Sequence, residues 1–372
     1  MDLHQDNLET WRKEIRSTDA EILRLVARRM ELALKIGAYK QEHQMPVKDF
    51  RVEKQIIEKA RESAATLGVY PNLAEDLMTT LIKYSVLRQD ELKRERIAPV
   101  VNRSSSALIV GGAGHMGQWF AQFYESLGFA VSIHDQKRPR ESVTYPWHAV
   151  LEENLDAYEL IVLATPMPVT NTLLSKLSWL KPRGTIVEIC SLKAPIAEGL
   201  QAAQAAGLRI ASLHPMFGPD ADVLAGKNIL FCTGPGFCSE VVLQQHFQQT
   251  SAELICLPLE EHDRLMSYIL GSAHLLNLVY ARLLTESGLS MSRLRQLAGT
   301  TFLRQLEVTS RVVAENPDLY YDIQILNHST PQLVQGLKNK LDDFAQVILE
   351  ERRERFKEFM MDSQKFLSEK DA

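Results

Sequence analysis

The sequence predicts a multidomain α and α/β chain: an all-helical segment, then a doubly wound, mostly parallel sheet, then a second all-helical domain. Three observations predict it. Residues 7–42 carry one long helical apolar period without a proline. From residue 106 short β runs alternate with helical stretches, the pattern of a parallel sheet with crossover helices. Beyond residue 259 the β signal stops and only helical patterns follow. At 372 residues the chain is too long for one ordinary core, so two or three domains are expected.

In the first segment Leu8, Trp11, Ile15, Ile22, Val26, Met30, Ala33 and Ile36 recur at three- and four-residue spacing. Gly37 comes near its end and Pro46 stops it. At about 1.5 Å per residue such a helix runs roughly 50 Å. One small domain cannot cover that length, so a partner chain is expected. Residues 50–66 and 72–95 read as two more helices, and 93–105 as a linker. The strands then follow as "ALIVGG", "AVSIHD", "LIVLAT", "TIVEIC", "LRIASLH", "NILFCT" and "AELICL".

Composition is that of a globular protein, 45% apolar and 24% charged. A net charge of −5 argues against a general nucleic-acid or membrane-surface binder. The largest basic cluster, "ELKRERIAPVVNR", lies in the linker and reads as a solvated charge run. No apolar run reaches the roughly 18–20 residues that span a bilayer, and the first residues carry no apolar signal region. Cys190, Cys232, Cys238 and Cys256 form no CxxC pair, which fits free thiols better than disulfides or zinc. A cytoplasmic protein without a metal site is expected.

Gly112-Ala113-Gly114-His115-Met116-Gly117 is a GxGxxG motif. It follows an apolar strand, opens a helix, and is followed by a second strand ending at Asp135, the context of a Rossmann dinucleotide site. Gly112 allows the tight turn. Gly114 lets a pyrophosphate approach the helix N-terminus, with the backbone of His115 and Met116 behind it. Gly117 lets helix and strand pack closely. Asp135 would accept hydrogen bonds from the adenosine ribose, which favours NAD over NADP; Lys137 and Arg138 stand close enough to weaken that preference.

In such sheets the ligand lies beyond the carboxyl ends of the strands. Thr165, Ser191 and His214 fall at three of those ends. His214, pinned by Pro215, is a candidate general base or hydrogen-bond acceptor, or else a capping histidine. Lys193 and Asp220 lie near the same edge and read equally well as loop charges. In the last domain His274 and Arg311 fall within apolar helical stretches, and buried ionisable groups need partners, either an anionic substrate or an internal carboxylate. His262 reads as a helix-start residue.

Arg29 and Lys40, 11 residues apart, fall within about 20° on a helical wheel and so share a face with Ile22, Ala33 and Ile36. Arg12 lies about 100° away from Arg29 and would more easily reach the equivalent site of a partner chain. Ser85 and Gln89 are adjacent on the third helix, and Asp49 and Glu53 follow Pro46. The set has no nucleophile, metal cluster or phosphate loop. It suits holding a small polyanion in shape, unless the two cations merely snorkel from an amphipathic helix.

Along nearly its whole length the chain resembles the bifunctional chorismate mutase/prephenate dehydrogenases of tyrosine biosynthesis. "WRKEIRSTDAEILRLVARRMELALKIGAYK" is similar to the first helix of the all-helical chorismate mutases, which are intertwined dimers. "GGAGHMG", "CSLK" and "HPMFGPD" are similar to prephenate dehydrogenases. The resemblance implies an all-helical chorismate mutase domain at 1–92, a linker at 93–105, an NAD-binding Rossmann domain at 106–258 and a helical substrate and dimerisation domain at 259–372. It implies that Arg29 and Lys40 bind the substrate's carboxylate and ether oxygen, with Arg12 from the other chain. Asp49 and Glu53 would face the hydroxyl region, and Ser85 and Gln89 match the third-helix pair. Val52 stands where the family has arginine, with Arg51 beside it.

In the second half it implies His214 as the catalytic histidine, Ser191 as its supporting serine, His274 lining the substrate site and Arg311 binding substrate. Leu303 replaces an earlier arginine of that helix, with Arg304 next to it. Implied ligands are chorismate, prephenate and NAD, with tyrosine as a candidate feedback inhibitor and a homodimer as the assembly. Two alternatives stay open: a dehydrogenase whose residues 1–95 only dimerise or bind an effector, and arogenate as the oxidised substrate.

Overall fold

The computed structural model describes residues 3–43, 49–93, 105–139, 143–237, 240–248 and 250–368. Pro46, Cys238 and most of the 93–105 linker lie outside the described residues. The chain divides into two compact units. One is Met1–Ser191 with Ile196–Pro258, and the other is Leu192–Pro195 with Leu259–Ala372.

The first unit opens with three helices: α1 (Leu3–Glu42), α2 (Phe50–Leu67) and α3 (Pro71–Lys93). Asp49 caps α2, its carboxylate accepting from the backbone N–H of Arg51 and Val52. Gly68 ends it at φ 70, a left-handed C-cap that costs glycine little. α2 and α3 pair through Ile57, Ile82 and Val86, and α1 packs on α3. Much of the α1 stripe faces outward in the single chain: Trp11, Ile15, Ile22 and Ile36 are exposed, while Ala33 is buried.

The sheet has eight strands among the described residues: β1 (Ser106–Val110), β2 (Ala130–His134), β3 (Trp147–His148), β4 (Leu160–Leu163), β5 (Thr185–Glu188), β6 (Ile210–Pro215), β7 (Asn228–Thr233) and β8 (Glu253–Pro258). Their order is β3-β2-β1-β4-β5-β6-β7-β8. All seven expected runs form strands. The two-residue β3 is additional, and it is too short to leave a period in the sequence. Pairing is parallel except between β6 and β7. α4 (His115–Ser126) covers one face with Phe120, Phe123 and Tyr124, each fully buried, and α5 (Met167–Leu180), α6 (Ala197–Ala205) and α7 (Glu240–Gln248) follow between later strands.

The helices at the start of the chain are joined to this core. Phe50, the first residue of α2, is 2% exposed and packs against Trp119 and Phe123, with ring centroids 5.8 and 5.5 Å away. Lys54 Nζ donates to the Gln248 carbonyl at 2.9 Å. Val223, in the loop after β6, packs with Ile57, Ile82 and Val86.

The second unit is helical beyond Pro258. α8 (Leu259–Met266), a π-helical turn at Ser267–Ser272 and α9 (Ala273–Glu286) run on from one another. They are followed by α10 (Met291–Leu297), α11 (Thr300–Ala314), α12 (Pro317–Ile325), α13 (Thr330–Leu349) and α14 (Arg353–Ser368). Among the described residues no helix is long and apolar enough to cross a membrane.

Candidate active sites

The sheet brings the expected polar groups to one edge. Asp135 follows β2, the glycine loop follows β1, Thr165 follows β4, Ser191 follows β5 and His214 is the fifth of six residues in β6. The strand order β2-β1-β4-β5-β6 sets these five in a row. Four interstrand steps of about 4.8 Å give a row of roughly 19 Å, long enough for an extended dinucleotide and a small substrate beside it.

The loop geometry fits a dinucleotide. A Cβ on Gly112 would overlap the Ile133 side chain, and one on Gly117 would overlap the Gly111 carbonyl, so close packing of loop, strand and helix requires both. Gly114 is the N-cap of α4 and offers no side-chain cap, so the first N–H groups of the helix remain available to an anion. His115 is exposed and Met116 packs on the core. The Asp135 carboxylate accepts from the Ala113 N–H at 3.1 Å and the Lys137 N–H at 3.3 Å, which anchors it beside the glycine loop. Thr165 Oγ1 shares a 2.7 Å hydrogen bond with Thr170.

His214 is buried, and so is Lys193, which corrects its reading as a loop charge. Glu188 escaped the sequence reading. It is fully buried at the end of β5 and accepts from the Cys190 N–H at 2.8 Å and from the Ser212 hydroxyl. It thereby ties the turn that carries Ser191 to the strand that carries His214. A lone acid inside the apolar run "TIVEIC" was the available signal.

In the helical unit His274 follows the π-helical turn, a feature frequent at functional sites. Its ring stacks on Tyr320 at 4.0 Å, and Nδ1 is buried without a hydrogen-bond partner. Burial pushes its pKa down to about 4, so the ring is neutral at neutral pH. Arg311 differs from expectation. Its side chain is 79% exposed and pairs with Glu307 at 2.8 Å, because α11 turns Leu306 and Thr309 inward instead. Thr309 and Gln305 both donate to Asn277 Oδ1 on α9. His262 stands in the first turn of α8, as expected of a helix-start residue, and its ring is fully buried, donating from Nδ1 to Asp263 at 2.7 Å.

The cationic pocket forms within α1–α3. Arg29 Nη1 donates to Ser85 Oγ at 2.6 Å and to the Leu81 carbonyl at 2.9 Å. Desolvation lowers the pKa of both Arg29 and Lys40; the carboxylates of Asp49 and Glu53 act oppositely on Lys40. Glu53 is buried. Asp49 spends its carboxylate on the α2 cap, so it borders the pocket as a structural group. Arg12 stands apart, exposed and paired with Glu9 at 3.0 Å. Val52 is exposed. The Gln89 side chain lies outside the described residues.

Comparison with known proteins identifies three domains along the chain. Residues 11–90 match chorismate mutase type II, 141–235 the prephenate dehydrogenase nucleotide-binding domain, and 258–362 the prephenate dehydrogenase dimerization domain. The chain is thus a chorismate mutase joined to a prephenate dehydrogenase. It belongs to the T-protein family, the bifunctional enzymes of tyrosine biosynthesis. A T-protein from Enterobacter agglomerans is 26% identical over 327 residues, covering 88% of this chain and 84% of that one. A 4-amino-4-deoxychorismate mutase from Streptomyces pristinaespiralis is 32% identical over 105 residues, 27% of this chain and 81% of that one. A prephenate dehydrogenase structure from A. aeolicus, in complex with hydroxyphenyl propionate and NAD+, shares the fold with a TM-score of 0.58 at 17% identity, covering 71% of this chain and 98% of that one.

Proposed function

We propose that the Arg29 pocket rearranges chorismate to prephenate and that the His214 edge oxidises prephenate with NAD+ to 4-hydroxyphenylpyruvate and CO2. The division of labour follows the domains 1–92, 106–258 and 259–372, with 93–105 as linker. The observation that carries the reading is the row from Asp135 through the glycine loop and Ser191 to His214, in the same chain as a half-buried cationic pocket.

The rearrangement is a pericyclic shift, so the pocket needs shape and charge, not a nucleophile. Arg29 and Lys40 bind the carboxylate and the ether oxygen. Glu53 faces the hydroxyl region, Ser85 orients Arg29, and Gln89 completes the third-helix contact. Arg12 comes from a second copy, whose own α1 covers the exposed Trp11–Ile15 stripe. The assembly is a homodimer, a reading supported by the match to a dimerization domain.

NAD+, when bound, supplies the hydride acceptor for the second reaction. Gly112, Gly114, His115, Met116 and Gly117 hold its pyrophosphate, Asp135 its ribose, and Thr165 lines the path to the reacting carbon. His214 accepts the substrate hydroxyl proton as hydride leaves that carbon, and Ser191 supports the same oxygen. Loss of the ring carboxylate as CO2 leaves an aromatic ring, which drives the step. Neutral His274 lines the substrate site. Arg311 gives up its weak surface pair with Glu307 to hold a carboxylate. Tyrosine is the candidate feedback inhibitor, and cysteines that form no CxxC pair suit a cytoplasmic enzyme.

The test is purified chain with chorismate, following chorismate loss and NADH gain separately. Chorismate should disappear without NAD+, and added prephenate should reduce NAD+ faster than arogenate does and faster than it reduces NADP+. NADH from prephenate with no chorismate loss would reduce residues 1–95 to a dimerising or effector module.

A further inference from the structure

The chain leaves the sheet unit at Ser191, and Leu192–Pro195 packs with the helical unit. There one carboxylate grips it. Asp263 Oδ1 accepts from the Lys193 N–H at 2.8 Å, and Oδ2 accepts from the Ala194 N–H at 2.7 Å. Ala194 opens the short helical turn Ala194–Ile196, so the carboxylate acts as an anionic cap supplied from another element. Asp263 is itself fixed. His262 Nδ1, fully buried, donates to Oδ1 at 2.7 Å, and Asn327 Nδ2 donates to the Asp263 carbonyl at 2.8 Å. Burial alone would raise the Asp263 pKa. The hydrogen bonds from His262, Ala194 and Lys193 outweigh it and hold the carboxyl ionised below the usual range.

The two backbone N–H groups that Asp263 holds stand two and three residues after Ser191. A carboxylate with two backbone donors and one imidazole donor has both its position and its rotation defined. The peptide it holds therefore cannot shift without breaking charge-assisted bonds, the stronger class. We propose that Asp263, oriented by His262, is a positioning residue of the dehydrogenase: it fixes the Lys193–Ala194 backbone and so sets where the Ser191 hydroxyl meets the prephenate oxygen. This rests on the role given to Ser191 above. A displacement near 1 Å from a remote change can cost about 10²-fold in rate, so the effect belongs in kcat.

The test is a double-mutant cycle in the full chain with Asp263→Asn and Ser191→Ala. Asparagine keeps one acceptor but turns a donor toward the second N–H. Expected is a kcat loss of about 10–10²-fold with prephenate for Asp263→Asn, with the NAD+ Kd and the mutase rate unchanged. In the Ser191→Ala background the same substitution should cost no more than about 2-fold, within the scatter of such cycles. Should Asp263→Asn fail to fold, Asp263→Glu, which keeps the charge but moves it by a methylene, is put through the same cycle. Equal losses in both backgrounds, or none in the wild-type background, overturn the proposal. A wild-type chain that does not oxidise prephenate overturns the reading beneath it instead.

Discussion

In the sheet, Ile109, Ile161 and Leu163 are fully buried by helices of the same chain, whereas on α1 Trp11, Ile15, Ile22 and Ile36 each stand about half exposed. The two regions handle apolar surface in different ways, and their sites differ accordingly. The edge from Asp135 to His214 is assembled by strand order within one chain. The Arg29 pocket has a floor from α3 and a side from α2, while Arg12, also expected there, pairs with Glu9 instead. A sheet closes its own row of strand ends; one long helix cannot bend back to complete its own pocket. On the function proposed above, the second region therefore needs a second copy of the chain in a way that the first does not.

The sharpest separation comes from His214→Asn. Oxidation should fall by about 10²–10⁴-fold, the usual contribution of a positioned acid–base group, with chorismate turnover kept. Steady-state rates for both reactions on one preparation check it, and a parallel fall in mutase activity would break the division. Arg29→Ala should do the reverse: mutase kcat falls by about 10²–10³-fold, as on removing one preorganised donor, and prephenate oxidation persists. Phe50→Ala probes the seam where the regions meet. Removing a buried ring should cost about 3–5 kcal/mol, read by denaturant unfolding through Trp119 fluorescence. A loss under about 1 kcal/mol, within the range of ordinary surface changes, would mean that α2 is not anchored there.

The smallest effect concerns His274. Its folded pKa of about 4 lies below the ordinary value of 6.5, so the unfolded chain binds more protons between those values. Its contribution to stability is complete above about pH 6.5 and is lost as pH falls toward 4. His274→Gln should flatten that part of the stability profile; an unchanged slope would contradict the burial of a neutral ring.

Much of this was legible beforehand, and the failures share a cause. Helices over 50–66 and 72–95 appear as Phe50–Leu67 and Pro71–Lys93 because period and caps are local signals. The row of strand ends followed from motif spacing. What local pattern could not convey was direction. "SRVVA" is apolar, yet Arg311 lies about 200° from Thr309 on the same helix and meets solvent. Phe50 resembles any helix-start aromatic until Trp119 and Phe123 are beside it. The antiparallel β6–β7 pair carries the same apolar runs as its parallel neighbours. The grip of Asp263 on Lys193 joins residues 70 apart, and neither stretch advertises it.

Mixed dimers test the contrast between the two regions most directly. Arg12→Ala chains and Arg29→Ala chains should each be weak mutases alone. Refolded together, they should recover mutase activity, because one of the two sites in each mixed dimer regains an intact Arg12 and an intact Arg29 from different chains. Prephenate oxidation should be the same before and after mixing. Mixed dimers that form yet show no more mutase activity than their parents would mean that each chain builds its own pocket, and the contrast would fail.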